Sequence, residues 1–189
     1  MEIKELKNLL IEFGDNVSFE YSLKKKNWFN IGGKTKVFFK AENLKELINF
    51  IKKIKGKERI FILGAGSNTL ITDDLFDGVV IKLSKNFKNT TLMGDDIIIA
   101  GSAVLDKAVN DFAIENNLSG FEFLSCIPGS IGGGITMNSG CYDEDISKII
   151  LSVEVMDQEG NIKELQRNQI KFFYRGCDLD KNFIILSAK

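Results

Sequence analysis

The 189-residue sequence predicts an α+β fold in two subdomains, residues 23–86 and 87–189, behind an N-terminal helix and lead-in over residues 1–22. Three observations carry that prediction. Residues 36–83 alternate short apolar runs with one helical pattern, which reads as a small β-α-β unit. Residues 90–165 hold two hairpin patterns around a helix, a different arrangement that implies a second unit. Two glycine-rich loops follow apolar runs, one in each half.

Taken in order, Ile3, Leu6, Leu9, Leu10 and Phe13 recur at helical spacing and predict an amphipathic helix ending at Gly14. Val17 to Lys26 reads as irregular. Trp28 to Gly33 leads into a strand over Lys36 to Ala41. Asn43 is placed to cap a helix that turns Leu44, Leu47, Ile48, Ile51 and Ile54 to one side and stops at Gly56. Ile60 to Leu63 and Val79 to Leu83 read as short buried strands. Thr90 to Met93 and Asp96 to Ala100 flank Gly94-Asp95 as a hairpin. Behind Ser102, a helix is expected to bury Leu105, Ala108, Val109, Phe112 and Ala113 and to close at Asn116–Asn117. A second hairpin joins Leu151–Asp157 to Ile162–Leu165, and Ile184 to Ser187 is a last strand.

Composition narrows the function. With 25 basic and 26 acidic side chains the net charge is −1, which argues against nucleic acid as a partner. No apolar run approaches the length of a membrane span, and the charged N-terminus MEIKELKNLL does not resemble a signal peptide. Cys126, Cys141 and Cys177 are too irregularly spaced for a disulfide framework or a zinc site, and a cytoplasmic location is the expectation. The chain has no histidine, so a Ser-His-Asp triad, a histidine base and a histidine-rich metal site are excluded.

The chemistry concentrates in the glycine loops. Glycine lets the main chain approach a ligand closely, and successive N–H groups in such a loop can cradle an anion. Gly64-Ala65-Gly66-Ser67-Asn68 follows the apolar run from Ile60 to Leu63. It lacks the third glycine of a dinucleotide fingerprint and the lysine of a phosphate loop. Phe121 to Tyr142, FEFLSCIPGSIGGGITMNSGCY, holds the only proline, five glycines and almost no charge. Pro128 fixes its own φ and pushes Ile127 towards an extended conformation, which stiffens the entry to Gly129-Ser130. Read singly, either loop also fits a structural turn, and a Tyr174-Arg175 pair fits a surface cation.

Together, GAGSN after a strand, IPGSIGG, MNSGCY and the later YR resemble the MurB family, the flavin-dependent UDP-N-acetylenolpyruvoylglucosamine reductases. WFNIGG (Trp28 to Gly33) and SGFEF (Ser119 to Phe123) match the same family in the same order, so the resemblance runs from about Leu23 to the C-terminus. It implies the two-subdomain FAD-binding fold of the PCMH/MurB type, with FAD and NADPH as cofactors and a small-molecule sugar nucleotide as substrate. Gly64, Ala65, Gly66, Ser67 and Asn68, with Ile127, Pro128, Gly129, Ser130, Gly132 and Gly133, would hold the FAD pyrophosphate. Asn138, Gly140 and Tyr142 would lie against the isoalloxazine or ribityl of the flavin. Arg175 would bind and polarise the enolpyruvyl carboxylate as the catalytic residue, and Tyr174 would orient it at the substrate site. The sequence departs from the family at Cys141 and Asp143, where a smaller residue and a glycine are common.

Family members continue into a third domain with a serine proton donor and an assisting glutamate, and no stretch here resembles that serine motif. The chain is therefore expected to bind FAD noncovalently as a monomer, with little turnover alone. The alternative is an FAD-binding module of another flavin oxidoreductase of the same fold family. Valine at Gly66 or Gly129 is expected to block the approach of phosphate to the backbone while sparing the fold.

Overall fold

A computed structural model describes every residue from Met1 to Lys189, in two compact units. The first comprises residues 1–84 with 158–160, the second residues 85–157 with 161–189.

The first unit opens with helix α1 (Ile3–Leu9), shorter than its apolar spacing suggests. Residues Ile11–Asn16 continue as a 3₁₀ helix broken at Gly14, whose φ of 51° no α-helix accommodates. Leu6, Leu10 and Phe13 are buried all the same, so the periodicity located the core positions. The stretch read as irregular contains strand β1 (Val17–Ser22), paired antiparallel with β2 (Lys34–Ala41). Its sequence VSFEYS alternates Val17, Phe19 and Tyr21 with polar residues, a strand pattern that the irregular reading passed over.

Helix α2 (Leu44–Ile54) starts as predicted, with the Asn43 carboxamide oxygen accepting the Glu46 N–H at 2.9 Å. Strands β3 (Ile60–Ile62) and β4 (Phe76–Leu83) complete a sheet of order β1-β2-β4-β3, in which β4 runs parallel to both β2 and β3. Parallel strands are covered on both faces, which is why β2 reads as a continuous apolar run. Phe39 of β2 stacks on Phe50 of α2 at 3.8 Å between ring centroids, and Phe13 meets both rings edge-on. Leu23, Phe38, Leu63 and Val80 form a second apolar cluster, with Tyr21 stacked on Phe38.

The second unit is built on an antiparallel sheet of β5 (Thr90–Met93), β6 (Ile97–Gly101), β9 (Ser152–Met156), β10 (Ile162–Gln166) and β13 (Ile184–Ala188). The strand order is β10-β9-β13-β6-β5. Both predicted hairpins are present as β5-β6 and β9-β10. Between sheet strands lie helices α3 (Asp106–Glu115) and α4 (Ile131–Met137) and the two-residue strands β7 (Gly140–Cys141) and β8 (Glu144–Asp145). The strands β11 (Phe172–Phe173) and β12 (Gly176–Cys177) form a further small hairpin.

Helix α3 corrects one expectation. Its buried side chains are Asp106, Val109, Asn110 and Ala113, whereas Leu105 is 55 % exposed and Ala108 faces solvent. Two polar residues therefore sit on the inward face, against the amphipathic pattern. No helix is long and apolar enough to cross a membrane.

Candidate functional site

In the first unit, Gly64–Asn68 follows β3 as an irregular turn, as its position after an apolar run required. Lys82 on β4 donates from Nζ to the Gly64 carbonyl at 2.6 Å, and the Trp28 N–H donates to the Gly66 carbonyl at 3.0 Å. Gly66 is buried with φ +75°, and a Cβ there would run into the Lys26 carbonyl oxygen. Beside it, Asn27 is buried and donates from Nδ2 to the carbonyls of Leu23 and Ile31. The Asn27 Oδ1 has no partner, although an unpaired buried acceptor is costly.

The second glycine loop lies in the second unit. A 3₁₀ turn over Glu122–Cys126 leads into Ile127 and Pro128, and Ser130 stands at the N-cap of α4. Helix α4 contains three consecutive glycines and has poor intrinsic propensity; buried Ile131 and Ile135 and the left-handed Asn138 at its end hold it. The loop's N–H groups are less free than the sequence suggests. Those of Ile127, Gly129, Ile131 and Gly132 donate to the carbonyls of Leu124, Ile127, Val104 and Ser102 at 2.9–3.2 Å.

The unpaired polar groups are side chains. Ser102 and Ser130 are buried with hydroxyls that have no partner, and Ser130 does not use its hydroxyl to cap α4. Asp106, 0 % exposed, has neither carboxylate oxygen paired. Its carboxyl fills the space that a Cβ on Gly129 would take and approaches that of Gly134. Burial, with no ion pair or hydrogen bond to offset it, pushes the Asp106 carboxyl from 3.8 up to about 7. Desolvation thus keeps a large neutral population near neutral pH, which would not repel an anion held at Ser130.

Asn27, Ser102 and Asp106 were not identified from sequence as site residues. For Asp106 one signal existed: an acidic residue one place after Leu105, inside a helix otherwise read as having an apolar inner face.

Asn138, Gly140 and Arg175 come together within the second unit. The Asn138 Nδ2 donates to the Phe173 carbonyl at 3.2 Å, and its Oδ1 accepts the Ser147 N–H at 3.1 Å. Arg175 donates from Nη1 to the Gly140 carbonyl at 3.1 Å, and its guanidinium lies 5.3 Å from the centroid of the exposed Tyr174 ring. The β11-β12 turn thus pins the candidate arginine to the segment after α4. Asn138, Tyr142, Asp143 and Arg175 all have positive φ, between 42° and 63°, a concentration of strained non-glycine backbone in one place.

The expectation for valine at Gly66 and Gly129 is corrected by these contacts. In both positions the added carbon meets protein, the Lys26 carbonyl or the Asp106 carboxyl, so either variant would disturb the fold itself. Gly133 is the usable probe. It is exposed, and a Cβ there would meet only the Ser130 Oγ, at 3.6 Å. Gly133→Val is therefore expected to leave the melting temperature within about 3 °C while weakening FAD by roughly 10- to 100-fold, an obstruction of about 1–3 kcal/mol. Titration of flavin fluorescence measures it, and undiminished affinity in a folded variant removes Gly133 from the site.

Comparison with known proteins bears on the fold and the family. The FAD binding domain family matches residues 35–166. The UDP-N-acetylenolpyruvoylglucosamine reductase of Pelagibacter ubique is 51 % identical over 188 residues, covering 100 % of this chain and 62 % of that protein. The chain thus spans about three fifths of the length of that relative. The crystal structure of UDP-N-acetylenolpyruvylglucosamine reductase (MurB) from Thermus caldophilus superposes with a TM-score of 0.78 at 25 % identity, covering 92 % of this chain and 60 % of that one. p-Cresol methylhydroxylase, at 17 % identity and a TM-score of 0.63, covers 98 % of this chain and 41 % of its own, and shares the fold. With α+β architecture of the PCMH/MurB type and a family match across more than half its residues, this chain belongs to the FAD binding domain family.

Proposed function

We propose that the chain is the FAD-binding portion of a UDP-N-acetylenolpyruvoylglucosamine reductase, an FAD-dependent enzyme drawing on NADPH in the cytoplasm during peptidoglycan precursor synthesis. The observation that carries this reading is the set of buried, unpaired polar groups at the second glycine loop: the hydroxyls of Ser102 and Ser130 and the carboxyl of Asp106. Such groups call for a partner, and neutral donors suit a diphosphate in a chain of net charge −1.

In this reading Ile127–Gly133 of the second unit holds the FAD pyrophosphate, and Gly64–Asn68 is by itself a candidate phosphate loop of the first unit. The hydroxyl of Ser130 and the carboxyl of Asp106 add donors that the loop's bonded N–H groups do not supply. Asn138 and Gly140 position the rest of the cofactor. Bound there, FAD supplies hydride chemistry. Arg175 holds the substrate carboxylate of a small sugar nucleotide with its two-pronged fork and steadies negative charge as it develops, and Tyr174 keeps the guanidinium oriented. The 51 % identity to the Pelagibacter ubique reductase favours this over another flavin oxidoreductase of the same fold.

The test is reconstitution. Purified monomer incubated with FAD and desalted should retain a flavin absorbance band, released by denaturation because the attachment is noncovalent. Adding the enolpyruvyl sugar nucleotide should then perturb that band. Protein that stays colourless overturns the cofactor assignment, and a band that ignores the sugar nucleotide overturns the substrate.

A further inference from the structure

In the core of the second unit the packing leaves a cavity of about 40 Å³. Ile98 and Ala100 of β6, Val109 of α3, and Ile131 and Ile135 of α4 line it, and all five are buried. Ile131 and Ile135 stand four positions apart, so one face of α4 borders the cavity. Phe121, Ile149 and Lys189 are the half-buried members of the wall and mark its side nearest solvent. The Lys189 ammonium is engaged by Glu164 Oε1 at 2.9 Å, which leaves its hydrocarbon stem to the cavity.

Size and chemistry together select an occupant. A water needs only about 10–15 Å³, but it also needs several polar partners, and no hydroxyl, carboxyl, amide or thiol side chain lines this space. Apolar cavities that take benzene are far larger, about 150 Å³. What fits is an apolar solute of one or two heavy atoms. Such a solute leaves water at little cost and gains dispersion contacts with a wall of methyl groups on every side.

We propose that this cavity is a binding site for small apolar gases, with dioxygen as its physiological ligand and xenon as a probe of the same chemistry. The site holds its ligand without reacting with it, because no thiol, hydroxyl or carboxyl borders it. The assignment goes beyond the FAD reading and does not depend on it.

The experiment uses the whole chain, free of flavin, with its isoleucine methyls labelled for NMR. Under rising xenon pressure the methyls of Ile98, Ile131 and Ile135 should shift along a saturating curve. The buried isoleucines of the first unit, Ile51, Ile54 and Ile81, should move little and without saturation. Dissolved dioxygen, being paramagnetic, should broaden the same three second-unit methyls first, whereas benzene should leave them in place. Val109→Ile adds one methylene to the wall and should abolish the saturating response while melting no lower than the unsubstituted chain. Ile135→Val enlarges the space and should strengthen the response. The proposal is overturned if xenon moves the methyls of both units alike, or if benzene shifts the cavity methyls. It also fails if Val109→Ile melts several degrees lower, because the added methylene would then have met protein instead of space. All these readings are taken without flavin, so they stand apart from the outcome of the reconstitution.

Discussion

Asp106→Asn is expected to stabilise the unliganded protein above pH 7 and to leave it nearly unchanged below pH 4. The sign follows from proton linkage. Burial raises the folded carboxyl to about 7 against 3.8 for the free group, so between those values the folded state binds more protons than the unfolded state. Stability then falls as pH rises through that window, and the loss is complete above the folded value. The gap from 3.8 to about 7 corresponds to about 4 kcal/mol, an upper bound because local opening would hydrate the carboxylate. Asparagine has nearly the same shape and still offers hydrogen bonds, but it cannot ionise, so this pH-dependent penalty disappears. Urea unfolding of both forms at pH 4, 6 and 8 reads the effect: the curves should converge at pH 4 and separate at pH 8. Parallel curves would show that Asp106 titrates like an exposed aspartate.

The same substitution bears on ligand binding. If the neutral carboxyl assists the pyrophosphate, FAD affinity of the unsubstituted protein weakens as pH rises past 7, because an ionised Asp106 repels the diphosphate. In the asparagine form that pH dependence should vanish. A structural role alone would shift stability without moving the affinity profile.

Why Asp106 escaped sequence reading, while Asn43 did not, is a matter of range. The Asn43 cap is local, needing only the Glu46 N–H three residues on, so its chemistry is written in adjacent letters. The role of Asp106 depends on Gly129 and Gly134, more than twenty positions away, leaving room for its carboxyl. A helical repeat read from apolar spacing had no means of placing an acid inward. Likewise, helical periodicity carried the core positions Leu6, Leu47, Ile51, Val109 and Ala113, and the alternation of Val17, Phe19 and Tyr21 with polar neighbours was equally legible as β1, so the irregular reading there missed a local signal. The glycine loops were legible as loops. What the letters hid was which of their groups are bonded: the N–H groups of Gly129, Ile131 and Gly132 are satisfied within the unit, and the hydroxyl of Ser130 is not.

Arg175 offers the sharpest test of the catalytic assignment. It occupies the turn between β11 and β12 with φ 59°, a region that costs an L-residue roughly 1–2 kcal/mol and is ordinarily left to glycine. The Nη1 bond to the Gly140 carbonyl at 3.1 Å and the Tyr174 ring hold the side chain, and the remaining N–H groups of the fork are available to a carboxylate. Lysine keeps the charge but presents a point donor; it cannot anchor at Gly140 and hold a carboxylate bidentately at once. In a chain extended to the relatives' length, Arg175→Lys is expected to lower kcat for the enolpyruvyl sugar nucleotide by about 10²–10³, the cost of removing a preorganised donor to developing negative charge. FAD affinity should stay within threefold, because the assigned partner of Arg175 is the substrate. Arg175→Gly completes the comparison: relieved of the left-handed strain, it should be more stable by roughly 1 kcal/mol yet lose at least as much rate. In that variant the gain in stability reports the backbone strain at this position, and the loss of turnover reports the missing guanidinium. Full rates for both variants, measured as NADPH consumption coupled to product formation, would move the carboxylate-binding role to another residue.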